Sequence, residues 1–154
     1  MDLGFCEVCG VELNEWSRVR ELMRRFREAA RQPEMKTHAG YSSFPRGSCT
    51  WASYAFGHLL AEKEPEADWH IVNAGGPSAL QGHDWLESIG LAVDITADQF
   101  LGYEPYVGQK YQRPFLPSTR QSSGSNWTVA SPHEAASRAV RSLMEKSDIA
   151  KSGG

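Results

Sequence analysis

Two kinds of hydrophobic spacing divide the chain. Residues 13–32, LNEWSRVRELMRRFREAARQ, carry Trp16, Val19, Leu22, Met23, Phe26 and Ala30 at three- and four-residue steps, which predicts an amphipathic helix closed by Pro33. The segment 35–48, MKTHAGYSSFPRGS, is rich in Gly, Pro and Ser and reads as a long loop. CTWASYAFGHLLAE follows with Ala52, Ala55, Phe56, Leu59 and Leu60 on one side, a second helix ending near Glu64-Pro65. The period then changes. DWHIVNAGGP reads as a strand and a stop. His83 and Trp85, then Leu91, Val93 and Ile95, fit two short strands joined as a hairpin around Ser88-Ile89-Gly90, and EPYVGQKY offers a further strand. Residues 117–130 are small and polar, a flexible loop by composition. Ser131-Pro132-His133-Glu134 is a capping box with proline at the first helical position. It opens a helix with Ala136, Val140, Leu143 and Met144 inward, and KSDIAKSGG reads as a frayed tail. Helix, loop, helix, a run of strands and a last helix indicate an α+β fold, one domain over 1–150 with a flexible tail at 151–154.

Charge removes several classes of function. A net charge of −3 over 154 residues argues against a nucleic-acid surface. Arg18, Arg20, Arg24, Arg25 and Arg27 are interleaved with Glu15, Glu21 and Glu28, so they read as a solvated mixed-charge helix face. No apolar run approaches a membrane span, and MDLGFCEVCG lacks the basic and apolar regions of a signal peptide. A cytoplasmic protein is expected, or an effector exported without a cleaved signal. Three cysteines favour reduced thiols over a disulfide framework, and Asn126-Trp127-Thr128 matters as a glycosylation acceptor only in a secretory compartment. Cys6-Glu7-Val8-Cys9 supplies two of the four ligands zinc wants; His38 or a second chain would have to complete them, so two thiols in an N-terminal turn or short strand, without metal, is the expectation. AGGP has no following Lys and helix, which leaves nucleotide binding unsupported. No cofactor is implied.

Candidate chemistry centres on Cys49. With Gly47-Ser48 before it, the thiol falls in the first turn of the second helix, where unpaired N–H groups and the positive dipole end favour a thiolate. A nucleophile also needs a base, and the base an orienting group. A hairpin bending at 88–89 sets His83 opposite Asp94 on one face, close enough for Asp94 to hold one imidazole nitrogen while the other faces the thiol. A slip of one residue in that register would turn one partner away. His58 lies nine residues along the helix from Cys49, about 13.5 Å on an ideal axis, too far to serve as base. His70, on a strand beside Trp69, is the reserve base; His38 and His133 fall at loop and cap positions, and Trp51 and Tyr54 suit core or cleft lining.

FPRGSC, HDWLE and VDITADQF, in that order, resemble the transglutaminase-like branch of the papain-like cysteine hydrolases, and within it a group of short bacterial proteins. The resemblance spans about residues 44–107. It implies a papain-like core, a nucleophile helix packed on a small antiparallel sheet with additional N- and C-terminal helices. It further implies Cys49 as nucleophile, His83 as base and acid, and Asp94 as orienter, acting on a protein or peptide amide through an acyl-enzyme. Protease, amidase, glutamine deamidase and transglutaminase outcomes all stay open. Asp84 departs from the pattern, which has a small residue between His and Trp; a carboxylate there would raise the His83 pKa or compete with Asp94. No upstream glutamine matches papain's oxyanion residue. The Cys49 N–H is one candidate for that role, and Gln99, Trp85 and Trp51 are candidate oxyanion or substrate-binding side chains. The alternative reading is an inactive papain-like scaffold that binds a protein partner.

Overall fold

The computed structural model describes residues 7–75, 82–110, 120–124 and 131–153. Three helices, α1 (Glu7–Ala30), α2 (Cys49–Lys63) and α3 (Ser131–Gly153), accompany five strands, β1 (His70–Gly75), β2 (Gly82–Glu87), β3 (Leu91–Asp94), β4 (Tyr106–Gln109) and β5 (Arg120–Gly124). The sheet runs β4-β3-β2-β1-β5, with every neighbouring pair antiparallel. The class is α+β. No helix among the described residues is long and apolar enough to cross a membrane.

The helices bury the stripes their spacing announced. Val19, Met23, Phe26 and Ala30 of α1, all five apolar positions of α2, and Ala136, Val140 and Met144 of α3 enter one core, with Trp16, Leu22 and Leu143 partly covered at its edge. The sheet contributes a cross-strand row to the same core: Leu86, Val93 and Val107 are register partners on β2, β3 and β4. Because side chains alternate along a strand, Trp85 and Ala92 turn to the other face and pack with Val72 and Tyr106.

Four expectations change. α1 starts at Glu7, so Cys9 lies in helix rather than in a turn or short strand; once a helix is nucleated each further residue adds a hydrogen bond, and no proline stops it. Cys6, and with it the Cys6–Cys9 pair as a unit, lies outside the described residues. The segment expected as a polar loop contains β5, which joins β1 through backbone pairing such as Val72↔Ser123 and Asn73↔Ser122. Backbone pairing at a sheet edge needs no apolar side chain, so period-two hydrophobicity does not reveal it. α3 continues to Gly153 in place of a frayed tail; its Asp148 is paired with Arg25 of α1, which ties the last turns down.

The arginine run is the fourth. Arg18 pairs with Glu64 and Arg24 with Glu21 and Glu28, as a solvated face should. Arg27 instead is 8% exposed and grips Asp98 with two nitrogens, at 3.0 and 2.6 Å, while bonding the Ile95 carbonyl. It fixes the short 3-10 turn Ala97–Gln99 to α1.

Candidate active site

α2 begins at Cys49 because the chain before it is turned sharply. Gly47 holds φ at +70°, a value glycine adopts without strain, and Ser48 then serves as N-cap residue. The Ser48 hydroxyl makes no cap to the helix; it bonds the Gly40 and Arg46 carbonyls and so pins the preceding loop. Gly40 is required as well: a Cβ there would sit 2.1 Å from the Trp51 ring. His133 of α3 also stacks on Trp51, at 3.9 Å between ring centroids. The first turn of α2 is thus clamped between loop and α3.

The hairpin forms with a two-residue loop, Ile89-Gly90, closed by Ser88 N–H to Leu91 O at 2.9 Å and the reciprocal bond at 3.4 Å. Its ladder pairs Leu86 with Val93 and Glu87 with Ala92. Extended along the strands, that register sets His83 across from Thr96, two residues from the Asp94 expected opposite it. A two-residue displacement preserves the face, so the two remain diagonal neighbours within reach of an imidazole. His83 Nε2 lies 2.9 Å from both Asp94 carboxylate oxygens, and both side chains are 0% exposed.

Toward His83 the β2–β3 ladder gives way to α2. Both backbone polar groups of Asp84 are taken by α2 side chains: its N–H by the Cys49 sulfur and its carbonyl by the Ser53 hydroxyl at 3.4 Å. Its carboxylate accepts from the Thr50 hydroxyl and from the Asn73 amide of β1. One residue therefore docks the first turn of α2 onto β2. Alternation along β2 turns the Asp84 carboxylate away from the face that His83 and Trp85 share, onto Thr50 and Asn73.

Cys49, a free, half-buried thiol, is hydrogen-bonded to His83. Burial pushes the thiol pKa up, but the His83 hydrogen bond, the Asp84 N–H and the imidazolium charge together bring it below its ordinary 9.0. Burial likewise pulls His83 down, and the Asp94 and Cys49 hydrogen bonds outweigh it, raising the imidazole to about 9. Both shifts favour a thiolate beside an imidazolium. Because an ionised carboxylate only accepts, Nε2 carries the hydrogen shared with Asp94, and Nδ1 is the nitrogen left to exchange a proton with sulfur.

The remaining candidates are placed as follows. Gln99 Nε2 stands 3.2 Å from His83 Nδ1 and 3.2 Å from the Thr96 hydroxyl. Trp85 stacks near His83, 6.0 Å between ring centroids, but its indole N–H is committed to Glu87 at 2.8 Å. The Trp51 ring is taken up by Gly40 and His133, and Tyr54 also contacts His133. Phe100 sets its ring edge-on to His83 at 5.0 Å. His70 points its Nδ1 to the Asp68 carbonyl, and His58 pairs with Glu62 on the surface, so neither joins the site. Among the described residues no group of His, Cys, Asp and Glu is arranged to hold a metal ion. A groove of about 620 Å³ lies elsewhere, between the three helices, and its Arg18 and Arg25 are paired with its own Glu64 and Asp148. Arg27, Thr50, Asn73 and His133 are the site-shaping residues that spacing did not single out. Only the Asp98–Gln99 pair inside VDITADQF marked their neighbourhood.

Comparison with protein-family models, with curated proteins and with solved structures returned no match. The functional reading rests on the site.

Proposed function

We propose that this protein is a thiol-dependent hydrolase or acyltransferase acting on an amide, built on a core similar to the papain-like, transglutaminase-like arrangement. The observation that carries the reading is His83 bonded to two partners, the Asp94 carboxylate on Nε2 and the Cys49 thiol. In this mechanism the Cys49 thiolate attacks the amide carbonyl, and the carbonyl π electrons move to oxygen. The Cys49 N–H, at a helix start whose N-cap hydroxyl faces elsewhere, is the donor for that oxyanion. His83 Nδ1 gives its proton to the leaving amine as the C–N bond breaks, which leaves a thioester on Cys49. Water attacking that thioester gives hydrolysis or deamidation; an amine gives transamidation. Asp94 keeps the ring oriented and stabilises its positive charge throughout.

The test is the pH profile of Cys49 alkylation by iodoacetamide, mapped by mass spectrometry against Cys6 and Cys9. Cys49 should react at least about tenfold faster than the other two near pH 6.5, where an ordinary thiol is protonated. A His83→Asn change should abolish the advantage. Equal, slow labelling of all three thiols overturns the reading.

A further inference from the structure

The Gln99 amide stands against the nitrogen of His83 that must gain and lose the proton, and this bears on how the base works. It rests on the thiol-enzyme reading above. Nε2 is held by Asp94 in every protonation state, so the working nitrogen is Nδ1; Gln99 Nε2 lies 3.2 Å from it, and the same ring is hydrogen-bonded to the Cys49 sulfur. The same Gln99 nitrogen lies 3.2 Å from Thr96 Oγ1. An amide N–H can donate to Nδ1 only while Nδ1 is unprotonated. When Nδ1 carries the proton taken from Cys49, two donors would face each other.

The chemistry of the three groups resolves this. An amide NH2 offers two hydrogens and an amide oxygen two lone pairs, and a half-turn about the last side-chain bond exchanges them. With nitrogen inward, Gln99 donates to neutral Nδ1 and to the Thr96 oxygen. With oxygen inward, it accepts from Nδ1–H and from the Thr96 O–H, since a hydroxyl rotates to donate as readily as it accepts. The same two partners are satisfied in both states. Asn cannot reach as far, Glu only accepts, and Met does neither.

The backbone beneath Gln99 is fixed well enough for the amide alone to move. Gln99 ends the Ala97–Gln99 turn, whose Asp98 is gripped by Arg27, and its own N–H bonds the Thr96 carbonyl at 2.9 Å. Among the described residues, the charged groups around the ring come from several elements. Cys49 comes from α2 and Asp94 from β3. Asp84, beside His83 on β2, is bound to Thr50 and Asn73, and Asp98 is neutralised by Arg27 of α1.

We infer that Gln99 is a positioning residue whose amide turns over as His83 gains and loses its proton, holding the ring in one place in both states with Thr96 as its second partner. The proton travels only between Cys49 sulfur and Nδ1, and no bond to Gln99 is made or broken.

The test uses the full chain and the Cys49 alkylation profile, with thiolate absorbance in the ultraviolet as a second readout. Gln99→Glu locks an acceptor, and a charge, against Nδ1; the upper pH limit of the thiolate–imidazolium pair, read as the step in alkylation rate where the imidazolium loses its proton, should rise by about one unit or more. Gln99→Met removes both functions and should narrow the pH window of the thiolate–imidazolium pair from both ends, with about a tenfold lower rate near neutral pH. Thr96→Val should move the window in the same direction as Gln99→Met, by less. A residue needed only for packing would lower stability without moving the window, and a normal urea midpoint in Gln99→Glu keeps the result readable if the Met variant folds poorly. Wild-type-like profiles in both Gln99 variants, with His83→Asn still flattening the wild-type profile, overturn this inference and leave the triad standing. No effect of His83→Asn overturns both.

Discussion

Asp94 presents both carboxylate oxygens to one ring nitrogen at 2.9 Å, with both side chains out of contact with water. Its hydrogen bond to the ring is the chief support of the imidazolium after burial has opposed it, and with so little solvent to screen it, its charge adds to that support. Asp94→Asn keeps the size and removes the charge. The His83 pKa should fall from about 9 toward its ordinary 6.5, and the upper pH limit of the thiolate–imidazolium pair should fall with it. Turnover on any amide substrate should drop about a hundred- to ten-thousandfold, read as kcat/KM against pH. An unchanged upper limit would remove Asp94 from the ion pair. Cys49, His83 and Asp94 were legible because a turn before a helix and a tight hairpin are local signals, and parity along a strand survives a register error of two. Arg27 was not. Its neighbours in sequence are solvated, and nothing short of the packing of α1 on the Ala97–Gln99 turn distinguishes it from Arg24.

At the level of elements, α2 is held from three sides: by Asp84 of β2, by Gly40 of the loop and by His133 of α3. Gly40→Ala tests the loop side. Its φ of +84° strains any side chain, and the new Cβ would overlap the Trp51 ring. Overpacking of this kind costs about 1–3 kcal/mol and the positive φ adds to it, so the urea midpoint should fall clearly and Trp fluorescence shift with it. Arg27→Met tests the other wall. It leaves the Asp98 carboxylate without its two-nitrogen grip, at an expected cost of about 1.5–3 kcal/mol in urea unfolding. Thiol reactivity should suffer more than that loss explains, because the turn that carries Gln99 loosens. A profile unaltered once the variant is folded would separate Arg27 from the site. The helices were readable from their stripes because each buries one face against a single core. β5 was not, since its contribution to the sheet is made by backbone groups that every residue carries.

For the whole molecule, the ion pair makes a distinctive demand on pH-dependent stability. His83 binds a proton more tightly folded, at about 9, than unfolded, near 6.5. Its contribution is therefore fully present below 6.5 and is lost as pH rises toward 9. Cys49 has the opposite sign. Its folded pKa lies below 9.0, so its contribution is present above that value and is lost as pH falls through the lowered one. Where the two ranges overlap, folding moves a proton from thiol to imidazole with no net uptake, and stability should be level with pH. Cys49→Ser removes the releasing partner and leaves His83 with Asp94, the stronger of its two hydrogen-bonding supports. The variant should then go on losing stability up to about pH 9, while the wild type becomes level over the part of the range above the lowered Cys49 pKa. Urea midpoints of the two proteins at three pH values across that interval decide the matter. Parallel curves would mean that Cys49 and His83 titrate independently, and the thiolate–imidazolium pair would have to be given up even if Cys49 proved reactive.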